Sequence, residues 1–286
     1  MDSRISQEYS SAYFVQDRSN QAEKERLAIQ DAFITAGMGG VLPEQPDPSV
    51  FRRVLDVGCG TGGWLIAVAQ AYPQIEHLVG VDISHTMVAD ARSQAEAAHV
   101  SDRVTFVAMD ALRMLEFPTG FFDLINQRAG ASYLRTWEWA KLLQEYRRVA
   151  HRNGTIRITE FDLTPTSTSP ALTQLCHLLT QALYHAGHLF APESQGITDA
   201  LAHLLTQHGC EQVQTRICTL DYRVGTSQGL LDDVRIGFRT LLPFLQRWTV
   251  VPESYEDLYQ QALTDIQLPT FVGTGRLLTA WGKAHG

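Results

Sequence analysis

The feature that most constrains this chain is a short apolar run that leads directly into a cluster of glycines. Residues 54–57 are followed by Gly58-Cys59-Gly60-Thr61-Gly62-Gly63 and then by a segment rich in helix formers. Glycines at such a junction permit a tight strand-to-helix turn, and they let a ligand lie against the backbone. The spacing of Gly58, Gly60 and Gly63 also satisfies the G-x-G-x-x-G pattern. The segment therefore predicts a ligand-binding turn between a buried strand and a helix.

After this turn, short apolar runs alternate with segments of helical spacing. We predict strands over residues 53–57, 78–81, 104–108, 122–126 and 155–160, and helices over 64–71, 86–98 and 137–149. Apolar strands joined by helices imply an α/β fold with a doubly wound, mostly parallel sheet. A further helix is predicted over 20–33. In the second half we predict helices over 171–186, 197–208, 230–245 and 253–263, and strands over 211–224 and 276–281.

Three carboxylates follow the predicted strands and bear on the identity of the ligand. Asp56 lies two residues before Gly58, where it would repel a pyrophosphate but attract an ammonium group. Asp82 ends the second strand, 20 residues after Gly62, where a carboxylate accepts the hydroxyls of a ribose. Asp110 follows the third strand, within reach of an adenine amino group. The glycine spacing leaves a nicotinamide cofactor and S-adenosylmethionine both open, and the carboxylates favour S-adenosylmethionine.

At this point the chain resembles the class I S-adenosylmethionine-dependent methyltransferases. The resemblance lies in VLDVGCGTGGW (54–64), VGVDIS (79–84), VTFVAMDA (104–111), FFDLINQR (121–128) and YRRVAHRNGTIRITE (146–160). It is closer to a branch of bacterial and fungal secondary-metabolite methyltransferases and related regulators. That branch has a similar N-terminal helix, which in this chain is DRSNQAEKERLAIQ (17–30). The resemblance implies a Rossmann-like, seven-stranded sheet of order 3-2-1-4-5-7-6 with an antiparallel last strand and helical lid insertions.

The resemblance also implies contacts along the whole cofactor. The implied residues are Asp56, Gly58 and Gly60 at the methionine end, Asp82 at the ribose, Ile83 and Met87 beside the adenine, and Asp110 and Ala111 at its edge. Asn126 and Gln127 would border the methyl group through their backbone, although that branch more often has histidine and alanine there. Tyr13 in the N-terminal segment would fold over the cofactor.

Candidates for the chemistry itself are fewer. Glu160 ends the fifth strand, at the edge where ligands bind in open α/β sheets. It could act as a base, anchor an amine, or serve a purely structural role as a hydrogen-bonded carboxylate. On the helix after Pro170, His185 is a second candidate base, and Tyr184 and His188 are candidate acceptor contacts. Helical periodicity alone also explains these histidine and tyrosine side chains, as the solvent-exposed face of a helix whose opposite face carries leucines.

Arg128 is a further candidate for the acceptor. Its guanidinium could bind an anionic group of the acceptor, or pair structurally with Asp123 or Glu138. No metal site is expected, because the histidine-bearing helix has no carboxylate at ligand spacing.

Composition bears on partners and location. The net charge of −8 and the lack of a basic run argue against nucleic acid. No apolar run approaches the roughly 20 residues that span a bilayer, and the N-terminus lacks the apolar stretch of a signal peptide. The four scattered cysteines fit a reducing compartment, so we expect a cytoplasmic protein without a membrane partner. Apolar faces on the late helices are compatible with a homodimer.

These observations lead us to expect methyl transfer to a small, lipophilic organic acceptor at an oxygen, nitrogen or carbon atom. The alternative is a protein that binds S-adenosylmethionine without methyl transfer, as a regulatory module or a sulfonium-assisted isomerase or cyclase. We expect three regions: an N-terminal helical cap over the cofactor (1–50), the cofactor-binding core (51–162), and a helical substrate lid with the last strands (163–286).

Overall fold

The apolar runs of the sequence form one mixed sheet flanked by helices in the computed structural model, which describes residues 21–223 and 228–285. The strands are β1 (Arg53–Val57), β2 (His77–Asp82), β3 (Val104–Ala108), β4 (Phe122–Arg128), β5 (Ala150–Phe161), β6 (Thr166–Ser167), β7 (Cys210–Asp221) and β8 (Gly273–Ala284). The helices are α1 (Gln21–Met38), α2 (Gly63–Ala71), α3 (His85–Ala97), α4 (Trp139–Val149), α5 (Pro170–His185), α6 (Leu201–Gln207), α7 (Gln228–Thr240), α8 (Leu242–Trp248) and α9 (Tyr255–Ile266).

The strand order is β3-β2-β1-β4-β5-β8, and β7 pairs with the other edge of β8. Strands β1 to β5 pair in parallel, whereas β8 is antiparallel to both β5 and β7. This confirms the predicted order and the reversed last strand. The two-residue strand β6, which also pairs with β8, is an addition to the prediction.

Successive residues of β1 pack on opposite faces of the sheet, because side chains alternate along a strand. Val54 belongs to a core shared with Leu65 of α2. Leu55 belongs to a second core with Leu142 and Tyr146 of α4. Burial on both faces explains why β1 is apolar except for Arg53 and Asp56.

Two late elements differ from the prediction in a physically simple way. The helix predicted over 230–245 is two helices, because Pro243 lacks a backbone N–H and lies in the first turn of α8. Strand β8 is 12 residues long, whereas residues 276–281 were predicted, since pairing with β5 and β7 extends it in both directions. No helix in the described ranges is long and apolar enough to cross a membrane.

Candidate functional site

The carboxyl ends of β1, β2 and β3 open into one cavity of about 370 Å³. Parallel strands end at the same edge of a sheet. The register of β2 and β3 places Asp82 beside Ala108, and Asp110 follows Ala108 by two residues. Residues distant in sequence are thereby brought together. Eight of the residues predicted to contact the cofactor line this cavity: Asp56, Gly58, Gly60, Asp82, Ile83, Met87, Asp110 and Ala111.

The glycine turn is fastened to the neighbouring strand by its backbone. The N–H groups of Gly58 and Cys59 both donate to the carbonyl oxygen of Val81, at 2.8 and 3.0 Å. Gly58 and Gly60 have φ values of +70° and +52°, a region that side chains other than glycine rarely adopt. A Cβ at Gly60 would have no atom within 4 Å, so the missing side chain leaves open space beside the backbone.

Asp82 braces this turn with both of its carboxylate oxygens. Its Oδ2 accepts a hydrogen bond from Gly60 N at 3.0 Å, and its Oδ1 accepts one from Ser84 N at 2.8 Å. Ser84 in turn caps α3 by accepting from Met87 N. A carboxylate oxygen has two lone pairs, so Asp82 can also accept from hydroxyl groups in the cavity.

Asp56 is the most deeply buried carboxylate of the cavity, with 4% of its surface exposed. Burial raises its pKa to about 7, while the hydrogen bond from Asn126 and the charge of Arg157 act in the opposite direction. The Asn126 amide nitrogen donates to Asp56 Oδ1 at 2.7 Å. A cationic group in the cavity would favour the ionised form of this carboxyl.

A buried ion pair lies behind Asp56. The Arg157 guanidinium donates to Glu44 Oε1 at 2.7 Å, and the two side chains are 0% and 1% exposed. Burial alone would raise the pKa of Glu44, but the Arg157 charge and hydrogen bond lower it overall. Arg157 also donates to Asn126 Oδ1 at 2.6 Å. Glu44, Arg157 and Asn126 thus form a hydrogen-bonded chain that ends at Asp56.

Helix α1 and the segment after β4 cover the cavity. Arg128 forms an ion pair with Asp31 of α1, not with Asp123 or Glu138. Burial and the charge of Arg157 lower the pKa of Arg128 to about 9. Tyr133 lies against the turn, where a Cβ on Gly58 would meet its hydroxyl oxygen at 2.4 Å.

Asn126 and Gln127 are fully buried in β4 and do not line the cavity. Asn126 acts through its contact with Asp56, and Gln127 Oε1 accepts from the Tyr146 hydroxyl at 2.5 Å. Tyr13 lies outside the described residues.

Residues 54–154 match the family described as a methyltransferase domain. The matched segment is therefore similar to a methyltransferase domain. It runs from β1 into β5 and contains the glycine turn, Asp82 and Asp110. The resemblance predicted from the motifs is confirmed for this part of the chain.

Curated proteins similar to this chain include ajmaline N-methyltransferase of Rauvolfia serpentina, 35% identical over 130 residues, which are 44% of this chain and 43% of that protein. Aklanonic acid methyltransferase DauC of a Streptomyces species is 28% identical over 155 residues, 52% of this chain and 68% of that protein. The chain therefore spans less than half the length of the first of these relatives.

The fold also matches solved structures. The YcgJ protein of Bacillus subtilis superposes with a TM-score of 0.56 at 19% identity, covering 88% of this chain and 99% of that one. At this identity the match shows the fold alone, and it covers more of the chain than residues 54–154.

A second, smaller cavity of about 140 Å³ lies beside the larger one and shares lining residues with it. Glu160 of β5 lines it and is 2% exposed. Glu160 Oε1 accepts from the backbone N–H groups of Gly130 at 2.5 Å and Ala131 at 3.3 Å. Burial raises the pKa of Glu160 to about 8, although these two hydrogen bonds act to lower it.

The other candidates are Tyr184 and His185 of α5 and His188 just after it, and they line neither of these two cavities. His185 is exposed, and its Nδ1 lies 2.8 Å from the carbonyl oxygen of Trp248. The Tyr184 ring packs against the His185 ring, with centroids 5.8 Å apart. His188 is buried, with Nδ1 2.9 Å from the carbonyl oxygen of Leu134, and burial lowers its pKa.

Several residues of the site were not predicted individually. Tyr133 and the α1 residues Arg26 and Asp31 line the larger cavity. The pair of Glu44 and Arg157 supports it from behind. Of these residues, only Arg157 could have been found from the sequence. It lies between two isoleucines of a predicted buried strand, where an arginine requires a polar or charged partner.

Proposed function

We propose that this chain binds S-adenosylmethionine in the larger cavity and transfers its methyl group to a small, lipophilic organic acceptor at oxygen, nitrogen or carbon. One observation carries the proposal: within a methyltransferase domain, Asp56 and Asp82 lie on either side of an open glycine turn in a single cavity. The relatives act on small molecules by their names, which supports an acceptor of that class.

The residues present suit this cofactor. Asp56 can pair with the ammonium of the methionine part, because an opposite charge nearby stabilises the ionised carboxylate. Asp82 can accept ribose hydroxyls, and the bare backbone at Gly60 allows close approach. Ile83 and Met87 supply apolar walls for a flat ring.

When bound, S-adenosylmethionine supplies a methyl group on a sulfonium, so the chemistry resides largely in the cofactor. The chain must align the nucleophile and exclude water. Helix α1 is suited to both tasks, because Arg26, Gln30 and Ile34 line the larger cavity and also the smaller one beside it.

The structure supports three working regions, which we propose with the bounds expected from the sequence. Residues 1–50 include α1 and serve as a cap over the cofactor. Residues 51–162 form the cofactor-binding core. Residues 163–286 supply α5 and α7, whose side chains line the smaller cavity, together with the last two long strands.

Partner class and location complete the proposal. The negative net charge supports a small-molecule acceptor over nucleic acid. Four free cysteines support a reducing, cytoplasmic setting, and we further infer a homodimer from apolar side chains exposed on the late part of the fold, such as Val250 and Leu268.

Calorimetric titration of the full chain with S-adenosylmethionine, S-adenosylhomocysteine and NADH tests the cofactor. We expect the two sulfur nucleotides to bind, NADH not to bind, and Asp82→Asn to weaken binding at least tenfold. Release of S-adenosylhomocysteine is then measured across small oxygen, nitrogen and carbon acceptors. Tight cofactor binding with no release on any acceptor would favour a binding module, and unmethylated isomeric products would favour an isomerase or cyclase.

A further inference from the structure

The smaller cavity is mostly apolar and has an unusual charge balance. Its apolar wall comes from α5, α7 and the sheet, and includes Leu172, Leu179, Leu183, Leu230, Val234 and Phe238. The described residues that line it also include three carboxylates, Glu160, Asp162 and Asp233, but only two arginines, Arg26 and Arg276.

Two of these carboxylates have an arginine partner. Asp233 Oδ1 lies 2.5 Å from Arg26 Nη1, and Asp162 Oδ2 lies 3.2 Å from Arg276 Nη1. Among the described residues, no cationic side chain pairs with Glu160, whose hydrogen bonds come from the backbone of Gly130 and Ala131. When Glu160 is ionised, the cavity therefore carries one negative charge in excess.

The remaining titratable groups near Glu160 do not supply that missing positive charge. Cys176 and Tyr222 line the cavity, and burial raises the pKa of each, so both are neutral at physiological pH. Tyr133 and Tyr146 are also close enough to feel the charge of Glu160, and burial chiefly raises their pKa values. A buried charge without a counter-ion is costly, so a bound cation would be strongly favoured.

We propose that this smaller cavity is the acceptor site and that the acceptor is an apolar amine, held by an ion pair between its ammonium group and Glu160. The proposal rests on the proposed function, because it assigns the larger cavity to the cofactor. The two cavities share Arg26, Gln30, Ile34, Ala129, Ser132 and Phe161 as lining residues, so a molecule in one lies next to a molecule in the other.

Binding of an amine has a distinctive proton balance. The pKa of about 8 keeps Glu160 largely protonated at pH 7. The carboxyl must lose its proton to solvent before it can pair with an ammonium group. The ammonium itself keeps its proton at pH 7, because its pKa is about 10. Amine affinity should therefore rise roughly tenfold per pH unit below pH 8, with proton release to the buffer.

Calorimetry on the full chain saturated with S-adenosylhomocysteine tests this with three probes of matched shape: 2-phenylethylamine, 2-phenylethanol and phenylacetate. We expect the amine to bind at least tenfold more tightly than the alcohol, and phenylacetate not to bind. Glu160→Gln should remove the preference for the amine and its pH dependence while retaining the alcohol. Glu76→Gln, which makes the same charge change at an exposed surface pair, should behave as the parent chain.

Equal affinity for amine and alcohol would overturn the proposal, as would an unchanged amine preference in Glu160→Gln or the absence of binding by all three probes. If the glutamine variant does not fold, the preference, pH dependence and proton release of the parent chain decide the question. Failure of S-adenosylhomocysteine to bind would instead contradict the proposed function, since that ligand belongs in the other cavity.

Discussion

The side-chain amide nitrogen of Asn126 donates a 2.7 Å hydrogen bond to Asp56 Oδ1. The orientation of this amide is fixed from behind, because Asn126 Oδ1 accepts from the Arg157 guanidinium at 2.6 Å and only an oxygen can accept there. Arg157 is held in turn by Glu44. A buried ion pair therefore sets which end of the amide meets the Asp56 carboxylate.

Removal of this amide should weaken cofactor binding. In Asn126→Leu, Asp56 loses a hydrogen bond that favours its ionised form, and its pKa rises above about 7. We expect calorimetry at pH 7 to show at least a tenfold loss of S-adenosylmethionine affinity. Thr279→Val, which removes a buried hydrogen bond to Thr159 in the same sheet, is the control and should leave affinity unchanged. Equal affinities in both variants would contradict the role assigned to Asn126.

The Arg157 and Glu44 pair should matter greatly for stability. Arg157→Met leaves the Glu44 carboxylate buried without its partner, and we expect a loss of about 3–5 kcal/mol in the free energy of unfolding. The double variant with Glu44→Gln should recover part of that loss. As a control, Arg235→Met breaks a partly exposed pair with Asp232 and should change little. Urea denaturation measures all three, and similar losses for Arg157→Met and Arg235→Met would refute the prediction.

Gly60 offers a test that separates binding from folding. Gly60→Ala meets no neighbouring atom but is held at φ +52°, so it should cost roughly 1–2 kcal/mol of stability and place a methyl group beside the ligand. Gly120→Ala has the same kind of strain at φ +72°, with its nearest contact at 4.0 Å, but lies outside the cavity. We expect thermal denaturation to show similar losses for both and calorimetry to show weakened cofactor binding only for Gly60→Ala. Retained binding in that variant would count against the cofactor assignment.

Glu160 should make stability depend on pH. Its pKa is about 8 in the folded chain and near 4.5 when the chain is unfolded. Between these pH values the unfolded chain has released a proton that the folded chain keeps. The free energy of unfolding therefore falls as pH rises, by about 1.4 kcal/mol per pH unit where the two states differ by one whole proton. Glu160→Gln should therefore gain stability over the parent chain between pH 5 and pH 8 in urea denaturation. A constant difference across that range would show that the carboxyl titrates normally.

Local patterns sufficed where one element carries its own signals. Strand β1 has the predicted bounds, because its apolar run is bounded by polar residues and glycines. The turn after it, with Asp82 and Asp110 at the next strand ends, could be placed because parallel strands finish at one edge. Strand β5 starts at Ala150 and not at residue 155, since pairing between Phe122 of β4 and Ala150 carries it past Asn153 and Gly154.

The sequence by itself placed the core strands and helices, through hydrophobic periodicity, and the glycine turn and the carboxylates at the strand ends, through their spacing within short segments. The sheet order was implied by the family resemblance of its motifs. Only the tertiary structure decided that Arg157 pairs with Glu44, 113 residues away, and that Glu160 rather than His185 faces a cavity. Those outcomes depend on which helices cover the strand ends. Long-range packing decides which of several residues of the same charge becomes the partner. Burial then shifts the pKa values of the groups that it encloses.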